Sequence, residues 1–447
     1  MASAAEQLAA SINFGAIGKA TELKKRLWFT FGALIIYRLG TYIPLPGIDP
    51  VILDDIFRQQ AGGIIGMFNM FSGGALGRMT IFALNIMPYI SSSIIIQLMT
   101  TVSPHLAQLK KEGESGRRRI TQYTRYGTVI LATFQGLGIA VGLEGMTSSQ
   151  GTAVLEPGLA FRATTVITLV GGTIFLMWLG EQITARGVGN GISMIIMAGI
   201  VAELPSAMAS TLELGRTGAL SALFIILLMV MAVGVIAFIV YVERAQRRLL
   251  VQYPKRQVGN RMFGGESTHL PLKLNTAGVI PPIFASSLLL LPITAMSFSA
   301  NAGPDWLGSV AAMLSRGSPG YLFLYISLIV FFAFFYTSVV FNPEDTADNL
   351  KKNNGFIPGI RPGKNTAEYI DFVLRRLTTV GAIYLSAVCV LPEILISKYG
   401  VPFYFGGTSL LIVVNVNMDF VAQVHSHLLA HQYEGLIKKS RLRGRRG

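Results

Sequence analysis

The sequence contains one cysteine and few charged residues among its 447 positions, and both shortages exclude classes of protein. With Cys389 alone, no intramolecular disulfide can form. The carboxylates nearest to the apolar parts of the chain all fall at or near the ends of predicted helices: Glu144, Glu181, Glu203, Glu243, Glu393 and Asp419. A proton- or sodium-coupled transporter needs carboxylates or a coordinating cage inside the membrane, so the sequence does not favour that class.

Motifs of enzymatic chemistry are also lacking in the sequence. It has no Walker loop, and no Ser–His or Cys–His set falls within the apolar segments. The glycine-rich stretch 187–191 lacks the spacing and the preceding strand of a dinucleotide loop, so we interpret it as a tight turn before a helix. His425, His427 and His431 have no Cys or acidic partner in their cluster, which does not favour a metal site. We therefore expect no catalytic residue, no cofactor and no metal, and a chain that is not an enzyme.

Long apolar runs are what the sequence has in abundance, since apolar residues make up 51% of the chain. Each run is near the ~20 residues that a helix needs to cross ~30 Å of hydrocarbon. The predicted segments, numbered 1 to 10 in chain order, are 27–43, 81–100, 126–143, 164–180, 189–205, 219–242, 275–296, 320–341, 374–396 and 403–423. This pattern predicts an all-α polytopic membrane protein.

Positive charge is unevenly distributed between the gaps that separate these segments. All but seven of the 37 Lys and Arg residues lie in alternate gaps or in the terminal regions. Under the positive-inside rule these basic gaps are cytoplasmic, so both termini are predicted to be cytoplasmic. Arg38 is the one cation inside a segment, close enough to its outer end to snorkel. Residues 1–26 lack the pattern of a cleaved signal peptide, so we expect segment 1 to be an uncleaved insertion signal.

The formal net charge of +14 is concentrated on the predicted cytoplasmic side. Two interpretations stay open for each basic loop. Either the loop binds lipid headgroups, nucleic acid or acidic proteins, or its charge serves only to set the topology.

Segments 2 and 7 share a pattern that indicates an internal repeat. Residues 86–96 align without gaps with residues 279–289. The matched pairs are Pro88 with Pro281, Ile90 with Ile283, and Ser93 with Ser286. Each segment is the second in a set of five, and a five-helix unit crosses the membrane an odd number of times. The second copy is therefore predicted to be inverted, with a pathway between the halves near the midplane.

A short apolar stretch lies between segments 1 and 2. A helix from Ile64 to Ser72 would be only ~14 Å long and could not span a membrane. Glycines at both of its ends provide hinges. Two interpretations stay open: a re-entrant plug in the outer mouth of a pore, or an interfacial helix on the outer leaflet.

Isoleucine is prominent in the segments that would line such a pathway. Ile86 and Ile90 are one helical turn apart, as are Ile196 and Ile200, and Ile283 is the repeat mate of Ile90. A collar of these stiff, apolar side chains would form a dewetted constriction that blocks ions. Ordinary helix packing is the alternative role for each of them.

Several long stretches then carry a specific resemblance to a known family. They are 67–76, 110–118, 177–184, 267–273, 341–343, 358–363 and 402–412. Together they resemble the SecY family, the channel subunits of the bacterial Sec protein translocase, over nearly the whole chain. The N-terminal ~18 residues, the outer loops near 146–160 and 297–318 and the final basic tail do not contribute to the resemblance.

The resemblance implies ten transmembrane helices in two inverted five-helix halves around a central hourglass pore, with a short re-entrant plug helix. The implied parts are a cytoplasmic N-terminal segment (1–26), an N-terminal half (27–205), a C-terminal half (206–423) and a basic cytoplasmic tail (424–447). Two large cytoplasmic loops, 243–274 and 342–373, belong to the C-terminal half.

The resemblance also implies roles for individual residues. The pore ring would comprise Ile86, Ile90, Ile196, Ile200, Ile283 and Ile412. The plug, at about 64–78, would include Ile64, Ile65, Met67, Phe68, Asn69, Met70, Phe71 and Ser72. A lateral gate between segments 2 and 3 and segments 7 and 8 would be lined by Ser91, Gln97, Gln135 and Asn275. Docking of a motor or a ribosome would use Lys255, Arg256, Arg261 and Arg361.

The implied function is a protein-conducting channel that passes unfolded secretory proteins across the bacterial inner (plasma) membrane and releases membrane segments laterally into it. The implied partners are the small membrane subunits SecE and SecG, the SecA ATPase, the ribosome through its RNA, unfolded preproteins with signal peptides, and a lipid bilayer that includes anionic lipids. Two alternatives belong to other classes: an inverted-repeat secondary transporter, and an intramembrane enzyme with a nucleophile and a base inside its helices.

Overall fold

The structure is a computed structural model that describes most of the chain. Its backbone is described over residues 20–50, 52–53, 72–145, 147–148, 151–218, 221–253, 256–258, 261–263, 267–299, 318–399 and 407–443. Side chains are described over the same ranges except 147–148, 151, 256–258, 261–263, 290–299, 396–399 and 431–443. The described chain is mostly helical, which confirms the predicted fold class at that level.

Twelve helices are described, and each predicted segment coincides with one of them. They are α1 Thr21–Gly40, α2 Met87–Val102, α3 Pro104–Lys111, α4 Glu114–Gly145, α5 Leu159–Arg186, α6 Gly191–Arg216, α7 Ala222–Arg244, α8 Ile280–Ser299, α9 Pro319–Val340, α10 Pro343–Lys352, α11 Lys364–Tyr399 and α12 Gly407–Arg443. Among the described residues, seven helices are long and apolar enough to cross a membrane: α4, α5, α6, α7, α9, α11 and α12. The protein is thus a multi-pass membrane protein, while the count of ten spans stays a prediction.

Local sequence explains where several helices begin. Ser221 and Ser318 cap α7 and α9, because their hydroxyls accept hydrogen bonds from backbone N–H groups three residues later, at 3.2 Å in both cases. Asn342 also caps α10, because its side-chain Oδ1 accepts a hydrogen bond from Glu344 N at 3.0 Å, and Pro343 lies in the first turn. Acidic residues follow at the start of α10 and basic residues at its end, as the helix dipole favours.

Helices α2 and α8 begin later than segments 2 and 7 predict. Residues 81–86 form turns, and α2 starts only at Met87. Asn85 adopts a left-handed conformation with φ of 49°, which no helix accommodates. At the matching repeat position, Gly278 is left-handed with φ of 65°, and α8 starts two residues later at Ile280. The aligned stretches therefore share a backbone feature that the sequence match did not include.

The chain divides into two compact units. The first comprises Met1–Ala207, Ser297–Asn301 and Ile412–Gly447, and the second comprises Met208–Met296 and Ala302–Leu411. The domain boundaries implied by the resemblance stay predictions.

In the first unit, α4 packs along α2 and α5. The chain on either side of residues 46–78 is joined by backbone hydrogen bonds, from Leu45 N to Met79 O at 2.9 Å and from Ile81 N to Ile43 O at 3.1 Å. The two-stranded hairpin of β1 (Thr147–Ser148) and β2 (Gly151–Thr152) follows α4. An apolar cluster joins residues of these connections to α5, and it includes Leu45, Leu53, Met79, Ala83, Leu84, Val154, Phe161 and Leu169.

In the second unit, the two large loops fold as one body. Strand β3 (Gln246–Gln252) pairs antiparallel with β6 (Ser267–Lys273), and the short strands β4 (Arg256–Val258) and β5 (Arg261–Phe263) pair between them. Gln252 also exchanges both backbone hydrogen bonds with Phe356 of the following loop, at 2.9 and 3.0 Å. The apolar cluster that joins the loops contains Leu249, Val251, Leu272, Ile357, Ile370 and Leu374.

Two adjacent glycines of α5 provide a test of helix packing in the first unit. A Cβ on Gly172 would overlap the carbonyl oxygen of Ile81, whereas a Cβ on Gly171 would meet nothing within 4 Å. Gly172→Ala should therefore destabilise the protein by about 1–3 kcal/mol through overpacking. Gly171→Ala, the matched control, should leave stability unchanged or raise it by up to about 1 kcal/mol. Thermal unfolding of both variants in detergent measures this, and equal melting temperatures would contradict the close contact.

Candidate functional site

Five of the six predicted pore-ring residues belong to the first unit. Ile86 directly precedes α2, and its carbonyl accepts the first helical hydrogen bond from Ile90 N at 3.1 Å. Ile196 and Ile200 lie one turn apart on α6, and Ile412 lies near the start of α12. All five side chains are at least 92% buried. Burial is expected both of a collar and of ordinary packing, so their role stays a prediction.

The sixth residue, Ile283, is partly buried on α8 in the second unit. Ile90 is the fourth residue of α2, and Ile283 is the fourth residue of α8. In both helices a proline lies in the first turn, preceded by the left-handed residue Asn85 or Gly278. Each unit thus presents its repeat-matched isoleucine from the same place in its own helix.

Most of the predicted plug lies outside the described residues, namely Ile64, Ile65, Met67, Phe68, Asn69, Met70 and Phe71. Ser72 is described and buried. Its carbonyl accepts a hydrogen bond from the Tyr37 hydroxyl at 3.4 Å, and its own hydroxyl accepts one from Leu76 N at 3.1 Å. This residue of the predicted plug is therefore hydrogen-bonded to α1.

A cluster of charged residues holds the two glycines that follow Ser72. Gly73 and Gly74 are both left-handed, with φ of 64° and 79°. Arg38 Nη1 donates to Gly73 O at 2.7 Å, and Arg78 donates to Gly73 O and Gly74 O at 3.0 Å each. Arg78 also lies 3.8 Å from a carboxylate oxygen of Glu203 on α6.

This cluster changes the interpretation of Arg38. The sequence suggested a cation that snorkels, but the side chain has a specific protein partner. The roles of Arg78 and Glu203 could not be predicted from a motif in the sequence either. Their one signal is the scarcity of charge on the predicted outer side, where Arg78 is among few cations.

The predicted gate residues of the first unit are Ser91, Gln97 and Gln135, and they differ in their hydrogen bonding. Ser91 is buried, and its neighbour Ser92 donates to Thr124 O of α4 at 2.8 Å. The side-chain carbonyl oxygens of Gln97 and Gln135 are buried and have no hydrogen-bond partner within the described part of the chain. Two buried acceptors of this kind would each gain from a donor, since an unsatisfied polar group costs ~1–3 kcal/mol.

Asn275, the predicted gate residue of the second unit, forms three side-chain hydrogen bonds within that unit. Its Nδ2 donates to Glu243 Oε1 on α7 at 2.7 Å and to Gly278 O at 3.1 Å. Its Oδ1 accepts a hydrogen bond from Gly278 N at 3.1 Å. These three bonds fix the turn before α8 and tie it to the end of α7.

The predicted docking residues are only partly described. Lys255 lies outside the described residues, and Arg256 and Arg261 are described only as backbone, in β4 and β5. Arg361 is exposed between the left-handed glycines Gly359 and Gly363, with φ of 82° and 108°. Because such turns project a side chain away from the loop, Arg361 is well presented to a partner.

Sequence comparisons with known proteins agree on one family. A sequence model of the SecY family matches residues 80–421. The chain is 59% identical to the protein translocase subunit SecY of Escherichia coli K12 over 428 residues, which cover 96% of both chains. Among solved structures, it is similar to a protein-conducting channel (TM-score 0.67, 17% identity, 91% of this chain and 92% of the other). It is also similar to Sec61 of the canine ribosome–channel complex from the endoplasmic reticulum (TM-score 0.63, 17% identity, with the same coverage of each chain).

Proposed function

The chain belongs to the SecY family of protein translocase subunits, and we propose that it conducts unfolded polypeptides through a pore sealed by an isoleucine collar. It is a protein translocation channel and not an enzyme. The observation that supports the collar is the repeat. Ile90 and Ile283 are each the fourth residue of their helix, α2 or α8, and each follows a left-handed residue, Asn85 or Gly278. The secondary transporter is not favoured, because the relatives are translocase subunits.

An isoleucine collar suits a channel whose cargo has no fixed sequence. A β-branched side chain is stiff and offers no lone pair to an ion, so a ring of them stays dry when closed. The same ring offers a passing chain no specific contact, so it does not retain any particular sequence. The predicted ring comprises Ile86, Ile90, Ile196, Ile200, Ile283 and Ile412, and residues 64–78 are its predicted plug.

Lateral release of apolar segments into lipid is the second part of this function. Each leucine-type residue favours the membrane by ~0.3–0.6 kcal/mol, and each charge opposes it by ~2.5–3.5 kcal/mol. A stretch of about 20 apolar residues therefore suffices to select the bilayer over export. Gln97 and Gln135 offer buried acceptors that a passing segment can satisfy and then leave.

The driving force comes from partners on the cytoplasmic side. These are the SecA ATPase and the ribosome, which dock on the joined loops of the second unit, while SecE and SecG are the small membrane subunits. The ribosome-bound canine relative supports the ribosome as a partner. The protein lies in the bacterial inner membrane, with both termini in the cytoplasm and the basic loops near anionic lipid headgroups.

The collar is tested by replacing two of its apolar side chains with polar ones. Ile90→Asn combined with Ile196→Asn should raise the resting ion leak by about tenfold or more, because each amide attracts water and a barrier lowered by about 1.4 kcal/mol gives tenfold flux. Ion flux from vesicles that contain the assembled complex measures the leak. Ile90→Val with Ile196→Val is the control, since it keeps the stiffness and the apolar surface. Unchanged flux in the Asn variant would remove both residues from the pore.

Docking is tested at Arg361. Arg361→Glu should reduce motor-driven export by about tenfold or more, because a charged hydrogen bond of ~1.5–3 kcal/mol is replaced by repulsion. Insertion of membrane proteins by the ribosome should fall less. Lys364→Glu makes the same charge change three residues away on an exposed side chain and is the matched control. Equal losses in both assays, or in both variants, would contradict a specific motor contact.

A further inference from the structure

The segment from Ser72 to Ile86 is non-helical and buried along much of its length, and it ends at a predicted collar residue. Its left-handed residues, Gly73, Gly74, Met79 and Asn85, prevent it from forming a helix. Peptide groups in such a segment need partners other than helical ones. What holds this segment therefore also sets where Ile86 lies.

Two arginines hold the start of the segment through its carbonyl groups. Gly73 O accepts one hydrogen bond from Arg38 Nη1 at 2.7 Å and another from Arg78 Nη2 at 3.0 Å, which occupies both of its lone pairs. Arg78 Nε donates to Gly74 O at 3.0 Å. Arg38 thus uses one donor on this turn, whereas Arg78 uses two on adjacent carbonyls.

The arginines are themselves held in place. Arg78 lies 3.8 Å from the Glu203 carboxylate, and both guanidinium groups lie over the Tyr42 ring, at 5.0 Å for Arg38 and 4.2 Å for Arg78. Arg38 also donates to the Tyr42 hydroxyl at 3.1 Å. Such packing restricts long side chains to one arrangement before they bind the carbonyls.

The turn at Gly73 and Gly74 contacts α6 next to the predicted collar residue Ile200. A Cβ on Gly73 would lie 3.0 Å from the Cα of Gly199, the residue before Ile200, so the two backbones are in contact. Glu203 Oε1 would lie 2.5 Å from a Cβ on Gly74. The left-handed backbone favours glycine at both positions, and at Gly73 the close approach of the α6 backbone also leaves little space for a side chain.

We propose that Arg38, Arg78 and Glu203 form a clamp that positions the first unit's part of the collar. The clamp fastens Gly73 and Gly74 to α1 and α6, which fixes Ile86 relative to Ile196 and Ile200. This inference rests on the channel function proposed above. It assigns the three charged side chains a positioning role, since their hydrogen bonds and ion pair act on the backbone of the turn and on one another.

The different geometry of the two arginines makes the clamp testable by conservative substitution. Arg38→Gln and Arg78→Gln should each raise the resting ion leak of vesicles containing the assembled complex by about tenfold, equivalent to about 1.4 kcal/mol. Arg38→Lys should stay near wild type, because one ammonium donor replaces one guanidinium donor. Arg78→Lys should leak like Arg78→Gln, because a single ammonium group does not reproduce a fork that spans two carbonyls.

Two further variants complete the comparison. The double variant Arg38→Gln with Arg78→Gln should leak less than the product of the single effects, because both residues act on Gly73 O. Arg162→Gln is the matched control, since Arg162 pairs with Glu144 at 2.6 Å and does not contact the clamp. It should leave the leak unchanged.

Two results would overturn the clamp. Rescue of both positions by lysine would mean that positive charge alone matters, and an unchanged leak in all the glutamine variants would mean that the clamp does not position the collar. If Arg78→Gln fails to assemble, the ion leak of Glu203→Gln and of the two Arg38 variants, Arg38→Gln and Arg38→Lys, decides the question by the same criterion.

Export of an unfolded precursor by the wild-type vesicles is measured in the same experiment. Its absence would contradict the channel function itself, whereas normal export with no leak in the variants contradicts only the clamp.

Discussion

Lipid offers no hydrogen bond to a peptide group, so each departure from helix inside a membrane protein needs a partner supplied by the protein. The segment between Ser72 and Ile86 shows how this chain meets that requirement. Tyr37 donates to the carbonyl of Ser72, and Arg38 and Arg78 donate to those of Gly73 and Gly74. Arg38 and Arg78 thus lie where the backbone is irregular and supply the donors that its carbonyl groups need.

The same requirement is met at the turns that precede two other helices with predicted collar residues. Before α6, Thr30 and Gln423 accept hydrogen bonds from Val188 N at 3.1 Å and Gly189 N at 2.8 Å. This turn is the one that the glycine-rich sequence predicted, and it attaches α1 and α12 to the start of α6. Before α8, the side chain of Asn275 donates a hydrogen bond to Glu243 at the end of α7. Each of these helices thus begins at a turn whose polar partners fix its position, as the proposed isoleucine seal requires.

Much of this organisation could be predicted from the sequence, because hydrophobic length and charge asymmetry are strong signals. The helical segments, the multi-pass class and the match of Pro88 with Pro281 all came from the pattern of residues. The late starts of α2 and α8 did not, since a left-handed Asn85 has no clear sequence signal. The role of Arg38 was missed because its partner, Gly73 O, is a backbone atom 35 residues away. The identities of the pore ring and docking residues came from the family resemblance, not from periodicity.

The proposed isoleucine seal is tested most directly by mapping water access along the helices that carry the predicted collar residues. Cys389, the one native cysteine, is buried and can be replaced by serine. Single cysteines are then placed along α2, α6, α8 and α12, and labelled with a membrane-impermeant thiol reagent added from either side. Positions beyond the collar should be labelled only from their own side, and labelling at Ile90, Ile200 and Ile412 should appear only when a translocating chain is held in the pore. Equal labelling from both sides in the resting protein, or no change when the chain is present, would contradict a channel sealed by these isoleucines.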